Sequence, residues 1–483
     1  MRQFWAVMKD SYREAVDSWV ITVMLIVGSV VIALCGSMSF EPLPPEEAFG
    51  KIVSSFRVYF PQHGQRRNPE YADCHFQVLG VQKTEDGFQV HLEVQARSSA
   101  LPRWEPDQPM VPPAASPQDK AVDSTAHEDS GADSFREAVA RWLQKKGQAQ
   151  AEEGTGGGEF SLRPSGSVSA SEQRRVRPQD MEEFLAQQFD IHAAMPARVQ
   201  YREKRFPQPD QPHYRFEVTV RGGVSVRGWP HTMKMFFGGI TLSRETHLGL
   251  ILYIIEDQII NGLGGGIALL LSVIITAFFI PNLLRKGSVD LVISKPIGRM
   301  RLLIYKYIGG LIFVLIITTY TVGGVWLALA LRSGYWNPAF LAVIPLLTFT
   351  FAILYAVSTL VATVTRSAIA AIIVTLVFML SLYIIGQVKS TLDTLRSGTR
   401  INDIPTWAIQ TVDTLNNILP RYKDLDKLIT KILSEGTLTV AEANTLGLGG
   451  IEYPSWRNVL GVSLGYIVGL VGLASLWFRS RDY

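Results

Sequence analysis

The side chains best equipped for chemistry are bunched in one part of this sequence: all eight histidines fall between His63 and His247. Among them, His231 with Met233 and Met235 follows an i, i+2, i+4 spacing. On a strand this puts an imidazole and two thioethers on one face, a soft donor set suited to Cu(I). A half-buried strand with methionine in its core has the same pattern, and that reading is preferred, so no metal site is expected. The Cys74-His75 pair carries no more weight. Cys35 and Cys74 are the only two cysteines, too few for a disulfide scaffold or a Cys-rich zinc site. No G-x-x-x-x-G-K-[ST] segment is present to cradle the phosphates of a nucleotide. No catalytic residue and no cofactor is therefore assigned to this chain.

A second group of residues lacks reactive chemistry but has a binding pattern. Between positions 285 and 306 lie Arg285, Lys286, Lys295, Arg299, Arg301 and Lys306 against one acid, Asp290. Pro296 can end a short helix that begins near Val289, because residues before proline avoid the α region. Asp290 then sits in the first turn, where the helix dipole favours an anion. Leu291 and Val292 provide apolar anchors, and Arg299 and Arg301 can meet acidic groups of a partner or anionic lipid headgroups.

The elements around these residues follow from composition. The chain has 483 residues, 47% hydrophobic and 18% charged, which excludes a disordered or an ordinary surface-rich soluble protein. A net charge of +3 is too small over this length for a nucleic-acid binder. Runs of roughly 20 apolar residues, enough to cross a bilayer, occur about six times: 19–36, 262–281, 307–331, 338–364, 368–386 and 460–478. The basic 282–306 segment places that loop in the cytoplasm, and alternation then puts both termini inside. Residues 40–246 and 387–456 fall outside, and 479–483 form a cytoplasmic tail. Residues 1–18 form an amphipathic helix lying along the cytoplasmic interface, with Phe4, Met8, Tyr12 and Val16 on one face.

The long outer segment alternates like a sheet. Phe88, Val90, Leu92 and Val94 interleave with Gln89, His91, Glu93 and Gln95, and the Glu85-Asp86-Gly87 turn leads back to Phe76–Val81, predicting a hairpin. Tyr214, Phe216, Val218 and Val220 repeat the pattern, and short helices are expected near 135–143 and 181–189. About 98–179 reads as a Pro-, Gly- and Ser-rich disordered insertion. The fold class is thus an α-helical polytopic membrane protein of about six transmembrane helices with an inserted extracytoplasmic α+β domain. No span carries an ionisable residue in its interior, so proton or sodium coupling has no foothold there. Small residues recur instead, Gly262 with Gly266 and Gly461, Gly465 with Gly469, and imply close helix packing within the bundle or across a dimer seam.

The 286–306 segment resembles the loop of ABC-2 type (type 2) ABC-transporter permeases. Gly287, Asp290, Leu291, Ser294, Pro296, Arg299 and Lys306 match that loop, and Lys286 departs from it where members often have an acid. The amphipathic amino end resembles the family's elbow helix, Leu419-Pro420 with Asp424-Leu425-Asp426 its pattern before the last span, and Phe478 to Tyr483 its basic carboxyl end. The resemblance covers 1–36 and 262–483, leaving the outer domain aside. It implies a bacterial inner-membrane permease subunit, more often an exporter. Such a subunit dimerises with a second copy or a paralogue. It works with a cytoplasmic ATPase subunit that binds ATP and Mg and receives the loop as a coupling helix. A membrane-anchored sensor or assembly factor is the rival, though it needs fewer spans and a signalling domain. From the missing phosphate loop we expect the purified chain to turn over no ATP by itself; robust hydrolysis by a preparation free of other subunits would contradict this.

Overall fold

The computed structural model describes residues 20–56, 74–96, 178–208, 211–221, 226–283, 298–397, 410–412, 414–415, 419–449, 451 and 453–480. The amphipathic helix expected over 1–18, the short helix near 135–143, most of the 98–179 insertion and the 284–297 loop lie outside these residues. In chain order the elements are α1 (Val20–Gly36), β1 (Ser39–Pro42), α2 (Pro45–Ser55), β2 (Cys74–Thr84), β3 (Gly87–Ala96), α3 (Pro178–Ala193), β4 (Ala197–Gln208), β5 (Gln211–Arg221), β6 (Pro230–Met235) and β7 (Ile240–His247). Then follow α4 (Leu248–Ile260), α5 (Leu263–Thr276), α6 (Phe279–Leu283), α7 (Arg299–Ser333), α8 (Val343–Thr365), α9 (Ala368–Ser397), α10 (Tyr422–Thr437), α11 (Val440–Thr445) and α12 (Trp456–Ser480).

Among the described residues four helices are long and apolar enough to cross a membrane: α7, the 338–365 unit containing α8, α9 and α12; Ile21–Gly36 and Ala268–Pro281 are shorter apolar helices. Hydroxyl side chains live in these helices by bonding back to their own backbone, as Thr319 Oγ1 does to Leu315 O, Thr350 Oγ1 to Leu346 O and Ser475 Oγ to Val471 O. α8 is the hub, with 61% of its apolar window buried against 17% for α9. α1 and α7 run in the same direction and touch closely. A Cβ on Gly28 would lie 2.7 Å from Thr321 Oγ1 and one on Gly324 2.3 Å from Ile32, while Ser29 Oγ and Tyr320 Oη share a hydrogen bond of 2.8 Å. At their shared end Arg332 donates to Met38 O. α7 stops at Gly334 (φ +72) and α8 at Arg366 (φ +59), each a left-handed cap whose amide returns to the last turn. At the other end of the bundle Leu303, Ala362, Ala371, Ala474, Phe478, Ala277 and Ile280 form a tight cluster. Three of those positions are alanines on α8, α9 and α12, small enough to let the helices converge.

The β-rich part consists of two sheets rather than one. The four-stranded sheet, in the order β2-β3-β5-β4, is antiparallel throughout, and the expected hairpin closes at Thr84 opposite Gly87. Val90, Leu92, Val94, Phe216 and Val218 from it are buried in one core with Phe49 and Ile52 of α2 and Phe184, Leu185 and Phe189 of α3. The second sheet, β1-β6-β7, joins the bundle to this core. β1 leaves α1 after two residues and β7 runs directly into α4, so both chain crossings into the bundle belong to one sheet, joined through β6.

Three boundaries differ from the sequence reading. The stretch between the β domain and the second apolar run is a helix of its own, α4, because its apolar residues recur at helical spacing. α7 begins at Arg299, eight residues before the expected span, so Arg299 to Lys306 belong to the helix rather than to a loop. The expected outer loop over 387–456 holds the last turns of α9 as well as α10 and α11. α10 buries Leu425, Leu428, Ile429 and Leu433 along one side, contiguous with the bundle core. α11 opens with a capping box in which Thr439 Oγ1 accepts from the Glu442 amide and Glu442 accepts from the Thr439 amide. His247 Nδ1 and Glu442 Oε1, 2.9 Å apart, tie β7 to α11.

Where α4 starts, Gly249 lies against backbone. An added Cβ would stand 2.1 Å from Thr437 O, which cannot step aside as a flexible side chain would. Gly249→Ala should therefore cost about 1–3 kcal/mol, the usual range for overpacking, and lower the melting temperature in detergent. Gly50→Ala, whose added methyl meets nothing within 4 Å, is the control and should be neutral or slightly stabilising.

Candidate functional site

The site is a column that follows α7 and α8 from one end of the bundle to the other. Its first level is the start of α7. Gly298 is the extended residue before the helix, Arg299 is half-buried in the first turn, and Lys306, two turns on, is 2% exposed. Of the matched loop residues only Arg299 and Lys306 fall in this helix; Gly287, Asp290, Leu291, Val292, Ser294 and Pro296 lie outside the described residues. The burial of Lys306 also corrects the sequence picture of uncharged helices, which held only while the third span was taken to begin at 307.

The second level fixes α7 on α8. Tyr307 donates its hydroxyl to Ala352 O at 2.8 Å and stacks on Tyr355 with ring centroids 5.1 Å apart and 8° between planes. Phe351 continues the stack at 5.3 Å. Gly310 makes the approach possible, since a Cβ there would be 2.6 Å from the Tyr355 ring. Each aromatic contact of this kind adds about 0.5–1.5 kcal/mol beyond its buried area.

A third set is polar and incompletely paired but does not share one height: α8 runs antiparallel to α7, so Ser358 and Thr359 lie on the Arg299 side of the Tyr355 stack, while Ser463 sits toward the opposite end of α12. Ser358 and Thr359 of α8, Thr375 of α9 and Ser463 of α12 are each at most 1% exposed, and their hydroxyls have no hydrogen-bond partner. α8 packs on both α9 and α12, so three helices contribute to this set. A buried hydroxyl left without a partner costs about 1–3 kcal/mol. Such groups can take up water or a polar group when the helices part.

The fourth level lies at the end nearest the β domain. Glu256 of α4 is 3% exposed, and its Oε2 has no partner; Asn337, between α7 and α8, is likewise buried with Nδ2 unpartnered. Burial pushes the Glu256 carboxyl up to about 8, only partly opposed by the Asn337 amide beside it. Asn337 O accepts from Trp326 Nε1 at 2.8 Å, its amide lies flat against the Cα of Gly436, and Tyr335 Oη donates to Gly436 O. The end of α10, the α7–α8 connection and α4 therefore meet at one polar joint. Sequence reasoning passed over Glu256, although a lone acid pair in Leu-Ile-Leu-Tyr-Ile-Ile-Glu-Asp was the available signal.

The remaining candidates fall elsewhere. His231 is buried on β6 with Nδ1 2.8 Å from Trp229 O, and Met233 and Met235 pack against the bundle core. Among the described residues no group of three His, Cys, Asp or Glu side chains is placed to hold a metal ion. Gly461, Gly465 and Gly469 line an exposed face of α12, and an added Cβ on any of them, or on Gly266, meets nothing within 4 Å. Gly262 lies against Gln258. The close helix contacts within the chain include those at Gly28, Gly310 and Gly324, and the α12 stripe leaves its face open.

A bundle of apolar helices gathered on one buried hub defines the class, a multi-pass membrane protein. A family model described as "ABC-2 family transporter protein" matches residues 5–483. The chain belongs to the ABC-2 transporter family, the membrane components of ABC transporters, which normally work with an ATPase subunit and are generally not themselves catalytic. The match runs through 40–246, so it takes in the β-rich segment as well. No curated protein and no solved structure matches the chain.

The raised Glu256 carboxyl has a consequence for stability. Its proton is bound more tightly folded than unfolded, so its contribution is complete below the unfolded value of 4.5 and is lost as pH rises through about 8. The melting temperature of the detergent-solubilised protein should fall between pH 6 and about 9. Glu256→Gln should flatten that fall; an unchanged slope would remove Glu256 as its source.

Proposed function

We propose that this chain is the membrane half of an ATP-driven exporter of the bacterial inner membrane, working as a dimer and powered by separate ATPase subunits. The reading gives it six spans, the 20–36 and 268–281 helices completing the four longer ones. Both termini and the 284–297 loop are cytoplasmic, the β domain and α4, α10 and α11 extracytoplasmic. Gly287, Asp290, Leu291, Val292, Pro296 and Arg299 form the coupling helix and its exit into α7.

The observation that carries the reading is α7 itself. It is one uninterrupted helix of 35 residues that begins within the matched 286–306 segment and ends where Arg332 holds Met38, at the root of the β domain. Displacement of its first turn is passed to α8 through the Tyr307–Tyr355 stack, and the α8–α9–α12 contacts hold the unpartnered hydroxyls. On this reading Ser358, Thr359, Thr375 and Ser463 find their partners when the helices separate around a polar cargo. The exposed Gly461, Gly465 and Gly469 face of α12 is offered to the second permease copy or to lipid.

The test is Leu291→Ala combined with Asp290→Lys. Loss of a buried anchor typically costs about 2 kcal/mol or more at an interface, and a cation at the helix amino end adds up to about 1 kcal/mol. Membrane abundance should remain near normal, while co-purification of the ATPase subunit and transport-linked ATP hydrolysis fall. An anchored sensor predicts no such selective loss, and undiminished association would sink the coupling assignment.

A further inference from the structure

The turn between β6 and β7 is unusually apolar and unusually exposed. Its residues run Met-Phe-Phe-Gly-Gly-Ile, where hairpin turns favour Asn, Asp and Gly. Phe237 is 81% exposed, Phe236 54% and Ile240 52%. Phe236 (φ +52) and Phe237 (φ +55) both hold left-handed backbone, which bulky L residues rarely adopt, and Gly238 follows at φ +96. In water this arrangement spends strain to hold two phenyl rings away from every core. Such a cost persists only where surroundings favour the exposed rings.

Position supplies the surroundings. The Phe237 amide donates to Ser37 O at 2.8 Å, and Ser37 is the first residue after α1. The rings are therefore held at the end of an apolar helix whose Val23, Ile26, Val27, Val30 and Leu34 are all exposed. On the same side of the bundle Trp336, just beyond α7, is 52% exposed and Trp456, the first residue of α12, is 38% exposed. Aromatic side chains at helix ends mark the level where a bilayer meets water. Lys234 on β6, paired with Glu41 at 2.6 Å, adds a cation beside the turn at headgroup height.

We propose that the β6–β7 turn inserts Phe236 and Phe237 into the headgroup–acyl boundary of the bilayer leaflet on the β-domain side, its partner being the lipid surface itself. The turn pins the three-stranded sheet to the membrane at the point where α1 emerges. Strained backbone keeps the rings pointed outward, and the apolar boundary receives them. The inference rests on the reading that α1 spans the membrane with Gly36 at its surface.

The test uses the full chain without native cysteines (Cys35→Ala, Cys74→Ser), reconstituted in phosphatidylcholine vesicles. A nitroxide is attached at Phe237→Cys or, independently, at Phe236→Cys. Val30→Cys is the in-membrane reference and Glu245→Cys the aqueous one. The ratio of oxygen to water-soluble nickel-chelate accessibility should be several-fold higher at 236 and 237 than at 245, approaching that at 30. A ratio equal to that at 245 would overturn the proposal by placing the turn in water. Low accessibility to both reagents would overturn it in favour of contact with another protein surface. If the label at 30 itself proves aqueous, the spanning role of α1 fails and the lipid contact with it, a result distinguishable from failure at the turn alone.

Discussion

Hydrocarbon offers no hydrogen bonds, and that constraint explains most of what this chain does with its polar atoms. Backbone amides are closed within helices, and Thr319, Thr350 and Ser475 turn their hydroxyls onto the carbonyl four residues earlier. Against that rule the open hydroxyls of Ser358, Thr359, Thr375 and Ser463 stand out. They gather on the hub helix and its two neighbours, where a bundle meant only to hold together would place valine or leucine. A closed bundle that retains unpaired polar atoms in its centre is less stable than it could be, which suits a structure with a second arrangement to reach.

The same economy governs the contact between the bundle and the β domain. Close approaches rely on glycine where backbone meets backbone or ring: Gly249 under Thr437, Gly436 under Asn337, Gly310 under Tyr355. The first two of these contacts connect α4, α10 and the α7–α8 connection around Glu256, so the domain is joined to the bundle by rigid touching surfaces more than by a flexible tether. Any relative movement there must rearrange a buried carboxyl.

Much of this was legible in the sequence. Long apolar runs announce membrane helices because hydrocarbon tolerates little else, and the alternation from Phe88 to Gln95 is set by the pleat of a strand. α4 was missed because its thirteen residues are too few to span and its Glu256-Asp257 pair broke the apolar run. α10 was hidden by its charges: Lys423, Asp424, Asp426 and Lys427 interleave with Leu425 and Leu428, and a search for spans discards such a segment. The start of α7 at Arg299 was read as loop because basic residues signal the cytoplasmic side without saying whether the backbone is helical. The separation into two sheets depended on the pairing of Phe40 with Met233, nearly two hundred positions apart, and no local pattern encodes a contact at that distance. The glycine stripe on α12 was legible only in part: spacing shows that a face is smooth, not what lies against it.

The length of α7 has a mechanical meaning. At 1.5 Å per residue its 35 residues make a rod about 50 Å long, against a hydrocarbon thickness of about 30 Å. It contains no proline, the residue that most often bends a helix, and its two glycine pairs are spaced a third of the rod apart. The Tyr307–Tyr355 stack grips this beam close to one tip, so a tilt about that contact would carry the Arg332 tip, and the Met38 carbonyl it holds, farther than the Arg299 tip.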